Sequence, residues 1–222
     1  MHPIVGANAV LRGADLTISA KAIDNVSLFS RLCDARQLTD GLFEIIHSDA
    51  LYERPIPERH RLVFYVGHLE AFDWNLLRHQ HRSLRSPQPS YDQLFAFGID
   101  PVDGGLPTDR PEDWPSLAAV LAYRAETRGQ IDGFLETHGL EEGAGCTTPE
   151  STLLNVAIEH RLMHAETLAY LLHRLPYEQK HRQRQPYVNG RGCRPETISV
   201  SAGPVTLGIS RAERQFGWDN EF

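Results

Sequence analysis

Glu159, His160, His164 and Glu166 fall within the stretch EHRLMHAE, part of a mainly apolar run that stops at Pro176. On an α-helix, positions four apart share a face, so His160 and His164 point the same way and two imidazoles one turn apart can reach a common ion. Glu166, six residues past the first histidine and two past the second, is rotated off that face and falls with Glu159 and Met163. A site of two histidines and one carboxylate made by this helix alone is geometrically poor. Glu166 is expected either to support the ligands from outside or to be an ordinary solvated or ion-paired carboxylate. His173, near the helix end, reads as a capping or solvent-facing group.

A third ligand must come from another element. His68 lies in FYVGHLEAFDW, where Tyr65, Phe72 and Trp74 supply an apolar surround and Gly67 permits close backbone approach. Glycine costs helix stability, so its place before that histidine asks for a packing reason. His47 and His79 are weaker candidates, lying near helix ends among polar residues. His68, His160 and His164 together would make a three-histidine cap on a divalent ion, leaving positions open for water, substrate or dioxygen. The residues alone leave a second reading open, in which the three histidines are satisfied separately.

These groups need long helices to hold them. Apolar residues at Ile18, Ala22, Val26, Phe29 and Cys33 recur every three or four positions and predict an amphipathic helix over 16–35. A short helix over 42–51 follows, then a connector held extended by Pro55 and Pro57. Further helices are predicted over 61–81, over 116–138 with Leu117, Val120, Leu121, Ile131 and Leu135 facing the core, and from the Thr-Pro-Glu start at 148–150 to Leu175. Residues 83–115 carry prolines at 87, 89, 101, 107, 111 and 115 and read as a long loop packed by Tyr91, Phe95, Phe97 and Trp114. Four long helices with an accessory fifth fit an all-α, antiparallel bundle. Beyond Tyr187 the pattern of TISVSAGPVTLGIS turns to alternation, the mark of one or two short strands.

Composition narrows the function. With 22 basic against 29 acidic residues, net charge −7, general binding to a nucleic-acid backbone is a poor fit. The basic run EQKHRQRQ at 178–185 reads chiefly as a solvated connection. No apolar run has the length of a membrane span and the start shows no leader, so a cytoplasmic protein is expected. Cys33, Cys146 and Cys193 are an odd, widely spaced set without a CxxC pair, which suits a reducing compartment.

The HxxxHxE of HRLMHAE, preceded by VGHLEAFDWNLL and followed far downstream by ISVSAGPVTLGIS and FGWDNEF, resembles the sulfoxide synthases of ergothioneine biosynthesis. Those enzymes join a DinB-like helical bundle to a formylglycine-generating-enzyme-like domain. The resemblance covers essentially the whole chain. It implies a DinB-like up-down four-helix bundle over 1–180 with a long loop and a short β-prone C-terminal tail. Residues 181–222 would then be a linker and the beginning of an incomplete second domain.

The resemblance also implies non-haem Fe(II) held by His68, His160 and His164, and an oxygen-dependent coupling of a small-molecule thiol to a histidine betaine. Much of that family's substrate pocket comes from the second domain, so this chain is expected to hold the ion yet show little or no coupling. Two alternatives stand beside it. One is a DinB-like metal-dependent thiol transferase using Zn or Ni; the other is a non-catalytic remnant that binds a partner chain.

Overall fold

The computed structural model describes residues 27–99, 104–138, 148–182, 197, 199, 201–212 and 216–222. Among these, five α-helices form: α1 Leu28–Phe43, α2 Leu62–Gln80, α3 Pro89–Phe97, α4 Leu117–His138 and α5 Pro149–Arg174. Local chemistry sets their starts. The Ser27 side chain accepts from the backbone N–H of Ser30 and caps α1, and Thr148 caps α5 in the same way through Ser151, with Pro149 at the first helical position. No described residue belongs to a β-sheet; one isolated antiparallel bridge joins Ile46 to Lys180.

The helix directions depart from the simple up-down alternation expected. The bridge at Ile46 and Lys180 ties the end of α1 to the end of α5, and Arg31 of α1 meets Asn155 of α5, so these two run parallel. Tyr52 donates to the Pro115 carbonyl and the His81 ring lies beside Phe134, so α2 and α4 also run parallel. His81 also approaches Glu150 across α2 and α5, and across α1 and α4 Arg36 pairs with Asp132 while Asp40 pairs with Arg124, so those pairs are antiparallel. Two parallel neighbours need a connection that travels back along the bundle. The long segment 81–116 is that connection.

That segment is not the loop expected from its prolines. It contains α3 and a 3₁₀ turn at Pro111–Asp113, with Phe95 and Trp114 buried and Phe97 exposed. Pro89 starts α3 rather than breaking it, because the first helical position needs no N–H. Asp109 pins the return path, accepting from Arg54, Arg61 and the Trp114 indole N–H.

The first helix also differs from the expected one. It continues to Phe43, and only a 3₁₀ turn at Ser48–Tyr52 remains of the separate helix over 42–51. Its buried face is Leu32, Ala35, Arg36, Thr39 and Phe43, whereas Phe29 and Cys33 are only partly buried. Buried Arg36 and Thr39 make the inner face look polar, and periodicity misread it. Ile18, Ala22 and Val26 lie outside the described residues, as do Cys146 and Cys193. On α4, Val120, Ile131 and Leu135 are buried, while Leu121 is exposed and Tyr123 takes a core place instead.

Among the described residues the buried apolar side chains form two clusters. One gathers Phe64, Tyr65, Phe95, Trp114, Tyr123 and Leu171; the other gathers Leu32, Trp74, Ile131, Phe134 and Ile158. Between them each long helix contributes polar residues: Arg36 and Asp40 on α1, Glu70 and Asp73 on α2, Arg124 and Arg128 on α4, and Arg161 on α5.

The basic connection is partly docked, with Lys180 donating to the Leu172 carbonyl and the His181 N–H to Ile45. None of the described tail residues, 197, 199, 201–212 and 216–222, is in a strand; a short 3₁₀ turn forms at Asp219–Glu221. A strand without a partner has no ladder to join. No described helix is long and apolar enough to cross a membrane.

Candidate metal centre

The antiparallel crossing of α2 and α5 brings three imidazoles together. His68 Nε2 lies 3.2 Å from His160 Nε2 and 3.2 Å from His164 Nε2. The three residues offer one ring nitrogen each, all within 4.8 Å of one another, a buried arrangement capable of holding a divalent ion. Two nitrogens each about 2.1 Å from one ion can stand at most about 4.2 Å apart, a limit that both separations from His68 satisfy. His47, His79 and His173 take no part: His47 lies against the His181 ring at a tilt, and the other two are exposed.

Proton placement fits a ligand role. His68 Nδ1 donates to the Phe95 carbonyl at 2.7 Å, which leaves Nε2 as the lone-pair nitrogen facing the other two rings. The Phe95 carbonyl is available because it belongs to the last turn of α3, whose final carbonyls lack helical partners. Gly67 makes that approach possible. A Cβ at position 67 would stand 2.5 Å from Phe95 ring atoms, so only a residue without a side chain lets α3 close on α2 here. The packing reason that the sequence demanded is this contact.

Aromatic rings fix the imidazole planes. His160 stacks on Phe72 with centroids 3.5 Å apart and 12° between planes, His68 stacks on Phe64 at 4.6 Å, and Tyr65 stands beside His164. Burial disfavours the protonated rings, and the neighbouring imidazoles add to this for His160 and His164. The pKa of His68 is lowered to about 4, that of His160 to about 2 and that of His164 to about 3. At neutral pH all three are neutral, the form that binds metal.

Glu166 is exposed and lies outside the cluster, on the face it was expected to share with Glu159 and Met163. With His160, Leu162 and Trp218 these residues wall an open cleft of about 300 Å³ beside the centre. Sequence reasoning missed the Phe95 carbonyl, because a backbone acceptor leaves no mark in side-chain identity. Phe72, expected in the apolar surround of His68, stacks instead on His160 across the helix crossing, a contact that no spacing within one helix records.

Residues 31–185 match the DinB superfamily, a stretch that contains all three histidines and every long helix from α2 onward. The chain belongs to the DinB superfamily. It is also similar to two curated fungal proteins, each named ergothioneine biosynthesis protein 1. The Neurospora crassa protein is 27% identical over 199 residues, covering 80% of this chain and 22% of the relative. The Schizosaccharomyces pombe protein is 26% identical over 182 residues, covering 78% of this chain and again 22% of the relative. The chain thus spans less than a quarter of the length of the curated relatives it matches.

Proposed function

We propose that this chain is the metal-binding bundle of a non-haem iron, oxygen-dependent sulfoxide synthase that joins a small-molecule thiol to a histidine-derived imidazole. The observation that carries the reading is the convergence of His68, His160 and His164, supported by the similarity to the two fungal ergothioneine biosynthesis proteins. A ferrous ion held there would supply Lewis acidity and redox capacity on the side that the three rings leave open.

The chain's own residues prepare that corner. The Phe95 carbonyl keeps the proton of His68 on Nδ1, so its Nε2 lone pair is presented without a tautomer change. Phe64 and Phe72 hold two ring planes, so less rotational freedom is lost when an ion is bound. The apolar surround keeps the imidazoles unprotonated. Residues 1–180 would form a DinB-like four-helix core with α3 as its accessory. Residues 181–222 would form a linker and the opening of a formylglycine-generating-enzyme-like domain, which would bring most of the contacts to thiol and betaine.

Membership of the DinB superfamily favours a second reading, a metal-dependent thiol transferase that uses zinc or nickel and no oxygen. Metal analysis of protein purified without oxygen, followed by oxygen uptake with cysteine or γ-glutamylcysteine and Nα-trimethylhistidine in a chain extended by its second domain, separates the two. One ferrous ion per chain and substrate-dependent oxygen uptake support the synthase. Zinc or nickel with thiol addition in the absence of oxygen supports the transferase.

A further inference from the structure

One residue beyond His160, the side chain of Arg161 is fully buried. Its guanidinium donates through Nε to Asp73 Oδ2 at 2.8 Å, and through Nη2 to Asp73 Oδ2 at 2.6 Å, Glu70 Oε2 at 2.7 Å and the Leu69 carbonyl at 3.2 Å. Every one of these acceptors is on α2, in the turn and a half that follows His68. Glu70 is held from its other side, where Oε1 accepts from Arg128 of α4, and Arg128 in turn donates to Asp40 of α1. The arginine next to one candidate ligand is therefore bolted to the backbone and carboxylates next to another.

Burying such a set of charges gives little net stability, since desolvation offsets the attraction; apolar residues of similar volume often serve as well or better. What an apolar layer lacks is direction. Leucine against leucine tolerates sliding of one helix along the other, whereas a planar guanidinium gripping two carboxylates and a carbonyl has one register. His68 meets its partners across this same α2–α5 crossing, and a slide of one residue along a helix, about 1.5 Å, would spoil nitrogen separations of 3.2 Å.

We propose that Arg161, acting through Glu70 and Asp73, is a positioning residue for the three-histidine centre: it sets the depth and rotation of α2 against α5 and so delivers His68 Nε2 to His160 and His164. The inference rests on the reading of the three histidines as a metal centre.

The test uses the double variant Arg161→Met/Asp73→Leu, which removes the grip without stranding an unpaired charge. Its control is Arg36→Met/Asp132→Leu, which removes an α1–α4 ion pair from the same polar layer and leaves every hydrogen bond of Arg161 in place. Each metal-free protein is titrated with Co(II), followed by visible absorption, alongside thermal unfolding. The expected result is a folded Arg161 variant whose cobalt affinity falls about tenfold or more and whose absorption bands shift, with the control matching the unaltered protein in both. Should the double variant fail to fold, Arg161→Lys, which keeps the charge and loses the fork, is expected to give the same direction of change. A folded Arg161 variant with unaltered affinity and spectrum overturns the positioning role and leaves the metal centre standing. Equal loss in the control overturns it too, since the layer would then act through stability alone. An unaltered protein that takes up no cobalt overturns the metal reading itself.

Discussion

His68 and Phe95 are joined by a 2.7 Å hydrogen bond from an imidazole nitrogen to a helix-terminal carbonyl, with the Phe95 ring lying directly against the backbone of Gly67. The same residue thus packs through its side chain on one position of α2 and orients the next through its main chain. A helix end in the long connection between α2 and α4 thereby becomes part of the centre.

Gly67→Ala should break both contacts at once. The added methyl meets buried ring atoms at 2.5 Å, so α3 must move. A loss of about 1–3 kcal/mol of stability is expected, together with weaker divalent-metal binding. Gly133→Ala is the comparison: it lies inside α4 with nothing near the new Cβ, and should stabilise by about 0.5–1 kcal/mol. Urea unfolding and metal titration of the two variants check the contrast.

His160→Ala and His164→Ala should each abolish stoichiometric binding of a divalent ion, because each removes one of three converging nitrogens. Glu166→Gln should leave binding nearly unchanged, since that carboxylate is exposed and off the shared face. Equilibrium dialysis against Fe(II) without oxygen reads all three. Equal loss in Glu166→Gln would make that residue a ligand.

Acid should destabilise the metal-free protein through these rings. In the unfolded chain the imidazoles take up protons as pH falls through about 6.5, whereas in the fold they resist until about 4 for His68, 3 for His164 and 2 for His160. Between those limits the unfolded state binds more protons, so this contribution to stability is complete above pH 6.5 and is lost as pH falls. The slope is at most about 1.4 kcal/mol per pH unit for each ring. Unfolding midpoints measured from pH 7 to 5 should drop less steeply in His160→Gln than in the unaltered protein.

Asp109→Ala should loosen the return path beneath α2. Its side chain is fully buried and accepts from Arg54, Arg61 and the Trp114 indole, so removal leaves two shielded guanidinium groups without their counter-charge. A cost of about 3–5 kcal/mol is expected. Thermal unfolding measures it, and Asp109→Asn, which keeps some acceptor capacity, should cost less.

The sequence carried the parts of this site that depend on local geometry. A spacing of four puts His160 and His164 on one helical face and turns Glu166 away whatever the helix packs against. A glycine inside a helix, just before a histidine, signalled a close contact at Gly67. The start of α5 at Thr148 and Pro149 was written in cap chemistry. Tertiary structure decided what crosses between elements. It brought His68, which the sequence favoured over His47 and His79, onto the other two, because the antiparallel crossing of α2 and α5 sets nitrogens 3.2 Å apart. It turned residues 89–97, inside the proline-rich segment 83–115, into the helix whose carbonyl orients that histidine. It also turned Arg36, Glu70, Asp73 and Arg161 inward, although polar residues along a helix ordinarily mark its wet face. A buried charge is tolerable only when its partners arrive from other helices, and no single helix's pattern records where those partners are.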